Sequence, residues 1–247
     1  MNIALIGYGK MGKMIEDANT KLQSPNNIVL KIDSKTPGAI EKLADHKIDV
    51  AIDFTTPDAV LTNIGVCLRL NIPLVIGTTG WYEKMEEVKI NCEKKNGAII
   101  YGSNFSIGVN LFFKLNEFLS AMMSKQNNYS VSIEETHHTE KKDKPSGTAI
   151  SLANQIIKND SRFEKWVVGD AKPALAKASA DKELTIISNR ENNVTGTHIV
   201  KYYSLIDDIE ISHRAHSRSG FASGALFAAE FIQHKKGFYN FVDIFSL

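Results

Sequence analysis

Read for hydrophobic and polar positions, the chain falls into two stretches of different rhythm. Over the first hundred residues, short apolar runs at 2–6, 28–32, 49–54, 72–76 and 98–101 are separated by amphipathic stretches. Unbroken apolar runs of this length suit strands buried on both faces, and helices between them make the strands parallel. The pattern predicts helices over 14–22, from 57 to about 70, over 81–95 and over 109–123. Thr56-Pro57 marks one start, an N-cap followed by proline at the first helical position. Beyond 105 the rhythm changes. A strand is expected at 129–134, where Val131 and Ile133 alternate with polar residues, then a helix from 149 to about 159. Strand-like runs follow at 184–188, 197–203 and 209–212, and an Ala- and Phe-rich helix at 219–234. Strands without intervening helices imply an antiparallel or mixed sheet in a second, α+β domain. The Ala/Lys-rich stretch 169–182 is left open as loop or short helix.

Composition narrows the setting. The 247 residues are ample for a real core in one or two domains. A net charge of +1 gives no reason to expect a nucleic-acid or anionic-membrane partner. No apolar run approaches about 18 residues, so no membrane span is expected. The N-terminus lacks a basic region, apolar core and cleavage site, so a secretory signal is not expected either. The two cysteines, Cys67 and Cys92, read as small buried hydrophobes, and a cytoplasmic location is expected.

The first candidate chemistry is Gly7-Tyr8-Gly9-Lys10-Met11-Gly12, directly after the first strand and leading into a helix. In that context the glycines permit a tight turn and close approach of a pyrophosphate to the helix N-terminus. Asp33, at the end of the second strand, stands where a carboxylate would hold a ribose. The plainer reading is a tight strand-to-helix connection. Two further segments, Gly77-Thr78-Thr79 and Gly102-Ser103-Asn104-Phe105, also follow strands, at the sheet edge where open α/β folds bind ligands. The threonines suit either the nicotinamide side of a dinucleotide or a helix-capping loop. Asp33 would repel a 2′-phosphate and favours NADH, while Lys35 can bind that phosphate as a point charge. Use of NADH or NADPH, with NADH favoured, is the expectation.

The second is Glu135 to Ala149, which contains His137-His138, Lys141 and Pro145-Ser146-Gly147-Thr148. Ser146 is a natural N-cap, and the amides of Gly147 and Thr148 would then form an anion site at a positive helix end. Gly147 has no side chain to block a carboxylate. His137 and Lys141, just upstream, can donate or relay protons, so the stretch suits a small anionic substrate. The plainer reading is a solvated lysine-rich loop. Adjacent histidines on extended backbone point to opposite faces, and no third ligand lies at a tight spacing, so no metal is expected.

These residues resemble the signature of the 4-hydroxy-tetrahydrodipicolinate reductase family. The likeness spans nearly the whole chain, including Asp53-Phe54-Thr55, the run from Asn104 to Asn110, and Ile211-Ser212-His213-Arg214-Ala215. The glycine turn is one residue shorter than in some members, and the family's glycine-rich stretch after Arg190 reads Glu191-Asn192-Asn193 here. The resemblance implies NAD(P)H-dependent reduction of a cyclic imine dicarboxylate in lysine and diaminopimelate biosynthesis. Hydride goes to C4 and a proton to the neighbouring carbon. His137 would be the proton donor, Lys141 a second donor, and His138, Gly147 and Thr148 substrate contacts. It implies a Rossmann-type domain at 1–105, with the C-terminal region of about 214–247 packing back on it. It also implies a substrate-binding and oligomerisation domain at 106–213, and a homotetramer joined through the second sheet. Two rivals are another two-domain NAD(P)-dependent dehydrogenase and a non-catalytic dinucleotide-binding protein. Neither has a reason to carry the run from His-His to Ser-Gly-Thr.

Overall fold

The computed structural model describes residues 1–23, 25–33, 35, 39–169 and 182–245. These form two compact units, one of Met1–Asn110 with Ser219–Leu247, the other of Leu111–Arg218. Nearly all of the ambiguous 169–182 stretch, and Ser34 beside Asp33, lie outside the described residues.

The first unit is built on strands β1 (Asn2–Ile6), β2 (Asn27–Ile32), β3 (Val50–Asp53), β4 (Leu74–Ile76) and β5 (Ala98–Tyr101). A further strand comes after the second unit, and in order along the sheet it lies beside β5, followed by β4, β3, β1 and β2. All neighbours are parallel. Alternate side chains leave opposite faces. Ala4 and Ile6 join a core under α2 (Pro57–Arg69) and α3 (Met85–Lys94), with Ile64, Cys67, Val88 and Cys92. Ile3 and Leu5 join the other core, with Ile15 of α1 (Lys10–Thr20) and Ala225, Leu226 and Ile232 of a C-terminal helix. A fully buried leucine or isoleucine contributes roughly 1.5–3 kcal/mol, so each face is held by several such residues. Both cysteines are free and buried, and burial pushes their thiols up to about 12 and about 11.

The second unit begins within α4 (Ile107–Met123) and continues through β6 (Ser130–His137), α5 (Gly147–Asn159), β7 (Lys165–Gly169), β8 (Glu183–Arg190), β9 (Gly196–Tyr203) and β10 (Asp208–Ala215). The chain then returns to the first unit as α6 (Ser219–Ile232) and β11 (Gly237–Asn240). The second sheet runs β10-β9-β6-β8-β7, antiparallel across its first two junctions and parallel across the rest. It is the mixed sheet that the helix-poor rhythm predicts. Val131 and Ile133 of β6 face Phe112 and Leu119 of α4 and Leu152 and Ile156 of α5 in a shared core. That face carries the odd-numbered residues of β6, and therefore also Glu135 and His137.

Two strands escape the apolar pattern. β7 is only half-buried along its length, and β11 pairs with β5 from far along the chain. The helix expected at 81–95 opens instead with a short 3₁₀ turn, Tyr82–Lys84.

Candidate functional site

In the first unit the glycine turn stands at the carboxyl end of β1. Gly7 has φ +87°, and a Cβ there would lie 2.1 Å from the carbonyl oxygen of Phe54. The position therefore admits glycine alone. Its amide and that of Tyr8 both donate to the Ile32 carbonyl, which fixes the turn beside the end of β2. Gly12 packs against the turn, where a Cβ would sit 2.9 Å from the Gly7 carbonyl oxygen. Gly9, the N-cap of α1, supplies no side-chain cap, and no atom lies within 4 Å of its missing Cβ. The result is an open helix N-terminus with room at the backbone, which fits a pyrophosphate. Lys10 is exposed and Met11 half-buried. Tyr8 bonds through its hydroxyl to Glu16, which also pairs with Lys31 at 2.5 Å. Asp33 is exposed just past β2, and one of its oxygens accepts the Lys35 amide at 3.0 Å.

The other two loops divide their residues between surface and core. Thr78 is buried, and its hydroxyl donates to Asp53 at 2.6 Å while accepting the Thr55 amide at 2.7 Å. Asp53 is itself fully buried and also accepts from Asn63 at 2.7 Å and the Thr55 hydroxyl at 2.8 Å. Burial raises the Asp53 carboxyl above its ordinary range, and these donors oppose that. Thr78 thus spends its side chain on the scaffold, and Thr79 is the threonine left facing out. A Cβ on Gly77 would strike the Phe54 ring at 2.0 Å. In the last loop Ser103 is exposed, and Asn104 caps the turn by accepting the Ser106 amide at 2.8 Å. Phe105 is buried against Phe54 and Phe241 and belongs to the core.

In the second unit, strand register assembles the site. Glu135 on β6 lies opposite Ser188 of β8 and His198 of β9, and His137 lies opposite Arg190. Glu135 accepts from the Ser146 amide at 3.0 and 3.1 Å and from the Ser188 hydroxyl at 2.7 Å. His137 Nδ1 stands 3.5 Å from one Glu135 oxygen, and His198 Nε2 stands 3.6 Å from the same atom. Burial opposes ionisation of Glu135, but His198, Ser146 and Ser188 outweigh it and bring its carboxyl down to about 2. His137 is pushed down to about 4, first by burial and then by neighbouring His198, with Lys141 and Arg190 adding to it against the pull of Glu135. His137 is therefore neutral at pH 7 in the free protein. Its Nε2 borders Gly196, where a Cβ would come within 3.1 Å.

Ser146 caps α5 as expected, its hydroxyl accepting the Ala149 amide at 3.2 Å and meeting His198 Nε2 at 3.1 Å. The amides of Gly147 and Thr148 donate to no described residue, and space is open where a Gly147 side chain would stand. His138 faces away from His137, as adjacent residues on extended backbone do. Its Nε2 lies 3.5 Å from Arg218. Lys141 bonds both oxygens of Asp143, at 2.8 and 2.7 Å. Arg190 donates to the carbonyls of Lys141 at 3.3 Å and Asp143 at 2.5 Å, holding the lysine loop against β8.

Sequence spacing offers the His pair no third partner, yet the fold brings Glu135, His137 and His198 together with ligating atoms within 4.8 Å. The Glu135 carboxylate already accepts the Ser146 amide and the Ser188 hydroxyl, and the Arg190 guanidinium lies 3.7 Å from it. A cation already beside the carboxylate disfavours a metal ion in this cluster. Glu135 opens the signature stretch without a role of its own there, and Ser188 and His198 carry no motif; the period-2 sidedness of β6, which puts Glu135 beside His137, is the signal that singles Glu135 out.

Comparison with known proteins agrees across the chain. The family described as dihydrodipicolinate reductase, N-terminus, matches residues 1–105, and its C-terminus counterpart matches 108–245. A curated 4-hydroxy-tetrahydrodipicolinate reductase from Christiangramia forsetii is 46% identical over 246 residues, covering 100% of this chain and 98% of the relative. One from Thermosipho africanus is 37% identical over 246 residues, covering 99% and 97%. The solved structure of a dipicolinate-bound dihydrodipicolinate reductase from Paenisporosarcina sp. TG-14 shares the fold, with a TM-score of 0.80 over 100% of this chain and 99% of that one, at 23% identity.

Proposed function

We propose a course for the reaction from one premise: the chain belongs to the dihydrodipicolinate reductase family. It acts as an NAD(P)H-dependent 4-hydroxy-tetrahydrodipicolinate reductase of lysine and diaminopimelate biosynthesis. Family models matching both halves set aside the two rivals, a different two-domain dehydrogenase and a dinucleotide-binding protein without catalysis.

The open turn of Gly7, Gly9 and Gly12 fits a dinucleotide pyrophosphate, with Asp33 toward the ribose and Thr79 and Ser103 as outward-facing contacts. When bound, the reduced nicotinamide would supply a hydride to C4 of the ring, once the substrate's 4-hydroxyl has left as water and made that carbon part of an unsaturated imine. The amides of Gly147 and Thr148 hold one substrate carboxylate, with His138 as a further contact. His137 gives its proton to the carbon next to C4. It is neutral in the free protein, so it takes up that proton when the dianionic substrate brings negative charge to the site. Lys141, as the second donor, must first exchange Asp143 for the substrate. One observation carries this reading: the buried His137 and the open start of α5 meet at a single carboxylate, Glu135.

Three finer points belong to the same reading. The enzyme uses both dinucleotides with NADH favoured, because the Asp33 carboxylate opposes a 2′-phosphate. It forms a homotetramer through the second sheet. Leu205 and Ile206, 85% and 88% exposed at the β9–β10 turn, support association there. It works in the cytoplasm, where two free buried cysteines are at home. The test is a coupled assay with the aldol product of pyruvate and aspartate semialdehyde, following loss of NADH or NADPH absorbance. His137→Gln is expected to lower kcat by about 10²–10⁴-fold while leaving dinucleotide affinity unchanged. Wild-type turnover by that variant would remove His137 from the mechanism.

A further inference from the structure

Glu135 is 0% exposed in the central strand of the second sheet, and the reaction just described gives it no step of its own. A buried carboxylate is costly unless charges and donors surround it. Here they do, and each tie leads to a different part of the site. The Ser146 amide links Glu135 to the start of α5, and the Ser188 hydroxyl links it to β8. Arg190, 3.7 Å away, is the same residue that clamps the lysine loop through two backbone carbonyls. His137 Nδ1 is buried and has no hydrogen-bond partner among the described residues, and Glu135 lies 3.5 Å from it.

We propose that Glu135 is the positioning residue of this active site: its one carboxylate orients the His137 ring and the start of α5 together, so that proton donor and carboxylate cradle keep a fixed spacing. The proposal rests on the assignment of His137 as donor and of Gly147 and Thr148 as cradle. A protonated His137 turns its Nδ1–H to Glu135, which leaves the Nε2–H at the Gly196 side for the substrate. A carboxylate that fixes the tautomer and orientation of an acid/base histidine works in this way elsewhere. The charges that act on His137 are Glu135 from its own strand, Arg190 from β8, His198 from β9 and Lys141 from the following loop. Of these only Glu135 is an anion, so it alone favours the protonated, donating form.

The test uses the full-length enzyme with its dinucleotide and the dicarboxylate substrate. It records kcat against pH for wild type, Glu135→Gln and Glu135→Asp, each with and without His137→Gln. Glu135→Gln is expected to lower kcat about 10²-fold at neutral pH, within the range of the acid it serves. It should also move the alkaline fall of kcat to lower pH, because the donor loses its supporting anion. Glu135→Asp keeps the charge, so its profile should stay in place with a smaller loss of rate. Neither change should deepen the kcat loss caused by His137→Gln, the tie to α5 showing instead in KM for the dicarboxylate. Additive losses with His137→Gln, or a profile unmoved in Glu135→Gln, would reduce Glu135 to a fold residue and overturn the proposal. If Glu135→Gln does not fold, the Glu135→Asp pair with His137→Gln decides by the same criterion. Wild-type turnover by His137→Gln alone is a separate result: it removes the donor assignment, and the proposal falls with it.

Discussion

Both carboxylate oxygens of Glu135 accept the backbone amide of Ser146, at 3.0 and 3.1 Å. That amide belongs to the N-cap of α5, so a buried anion faces the positive end of the helix and steadies it. The strand that carries His137 and the helix that carries Gly147 and Thr148 are thereby joined. A change at either end should be felt in substrate handling.

Gly147→Val tests the cradle. The space beyond Gly147 is open, so valine costs the fold little and fills the volume a carboxylate would take. KM for the dicarboxylate should rise, and pyridine-2,6-dicarboxylate should bind more weakly, while dinucleotide affinity holds. Unchanged binding of that analogue, measured by calorimetry, would place the carboxylate elsewhere.

Acid stability carries a sign that can be worked out. Burial, then the neighbouring His198, lowers His137 from 6.5 to about 4 on folding. Between those values the unfolded chain binds more protons, so stability falls as pH is lowered through that window. Glu135, depressed from 4.5 to about 2 with burial opposing and His198 and Ser146 prevailing, adds a second loss below it. Tm measured by calorimetry should drop from pH 6.5 to 4, and His137→Gln should flatten that part of the curve. An equal slope in the variant would contradict the assignment.

Gly224→Ala probes how α6 seats against the last loop of the first unit. A Cβ at Gly224 would lie 1.6 Å from the carbonyl oxygen of Phe105, so helix and loop must separate. Overpacking of this kind costs about 1–3 kcal/mol. Denaturant unfolding should show a loss of that size, together with weaker dinucleotide binding, because Ser103 and Asn104 move with the loop.

The proposed dinucleotide preference can be tested at two exposed residues. Asp33→Ala should weaken NADH and improve NADPH, by relief of like-charge repulsion. Lys35→Ala should weaken NADPH alone. Steady-state kcat/KM for both dinucleotides in both variants decides it; a Lys35→Ala enzyme unchanged toward NADPH would show that the lysine serves no phosphate.

Local order was legible in the sequence. The turn from Gly7 to Gly12, the N-cap at Ser146, and the change from strand-and-helix alternation to consecutive strands depend on neighbours a few residues apart. Periodicity and capping record such neighbours directly. The opposite facing of His137 and His138 follows from the same period of two. Tertiary structure decided which chemistry-bearing groups meet. Ser188 and His198 reach Glu135 only because β8 and β9 flank β6 in one register, and a slip of one residue would turn each of them to the other face. It also drew Thr78 and Phe105 away from the surface, into the Asp53 network and the aromatic core. β11 exists as a strand because β5 offers its edge after the chain has passed through the whole second unit. Pairings across such separations leave no mark on local periodicity, because the partner that stabilises them is supplied by the fold.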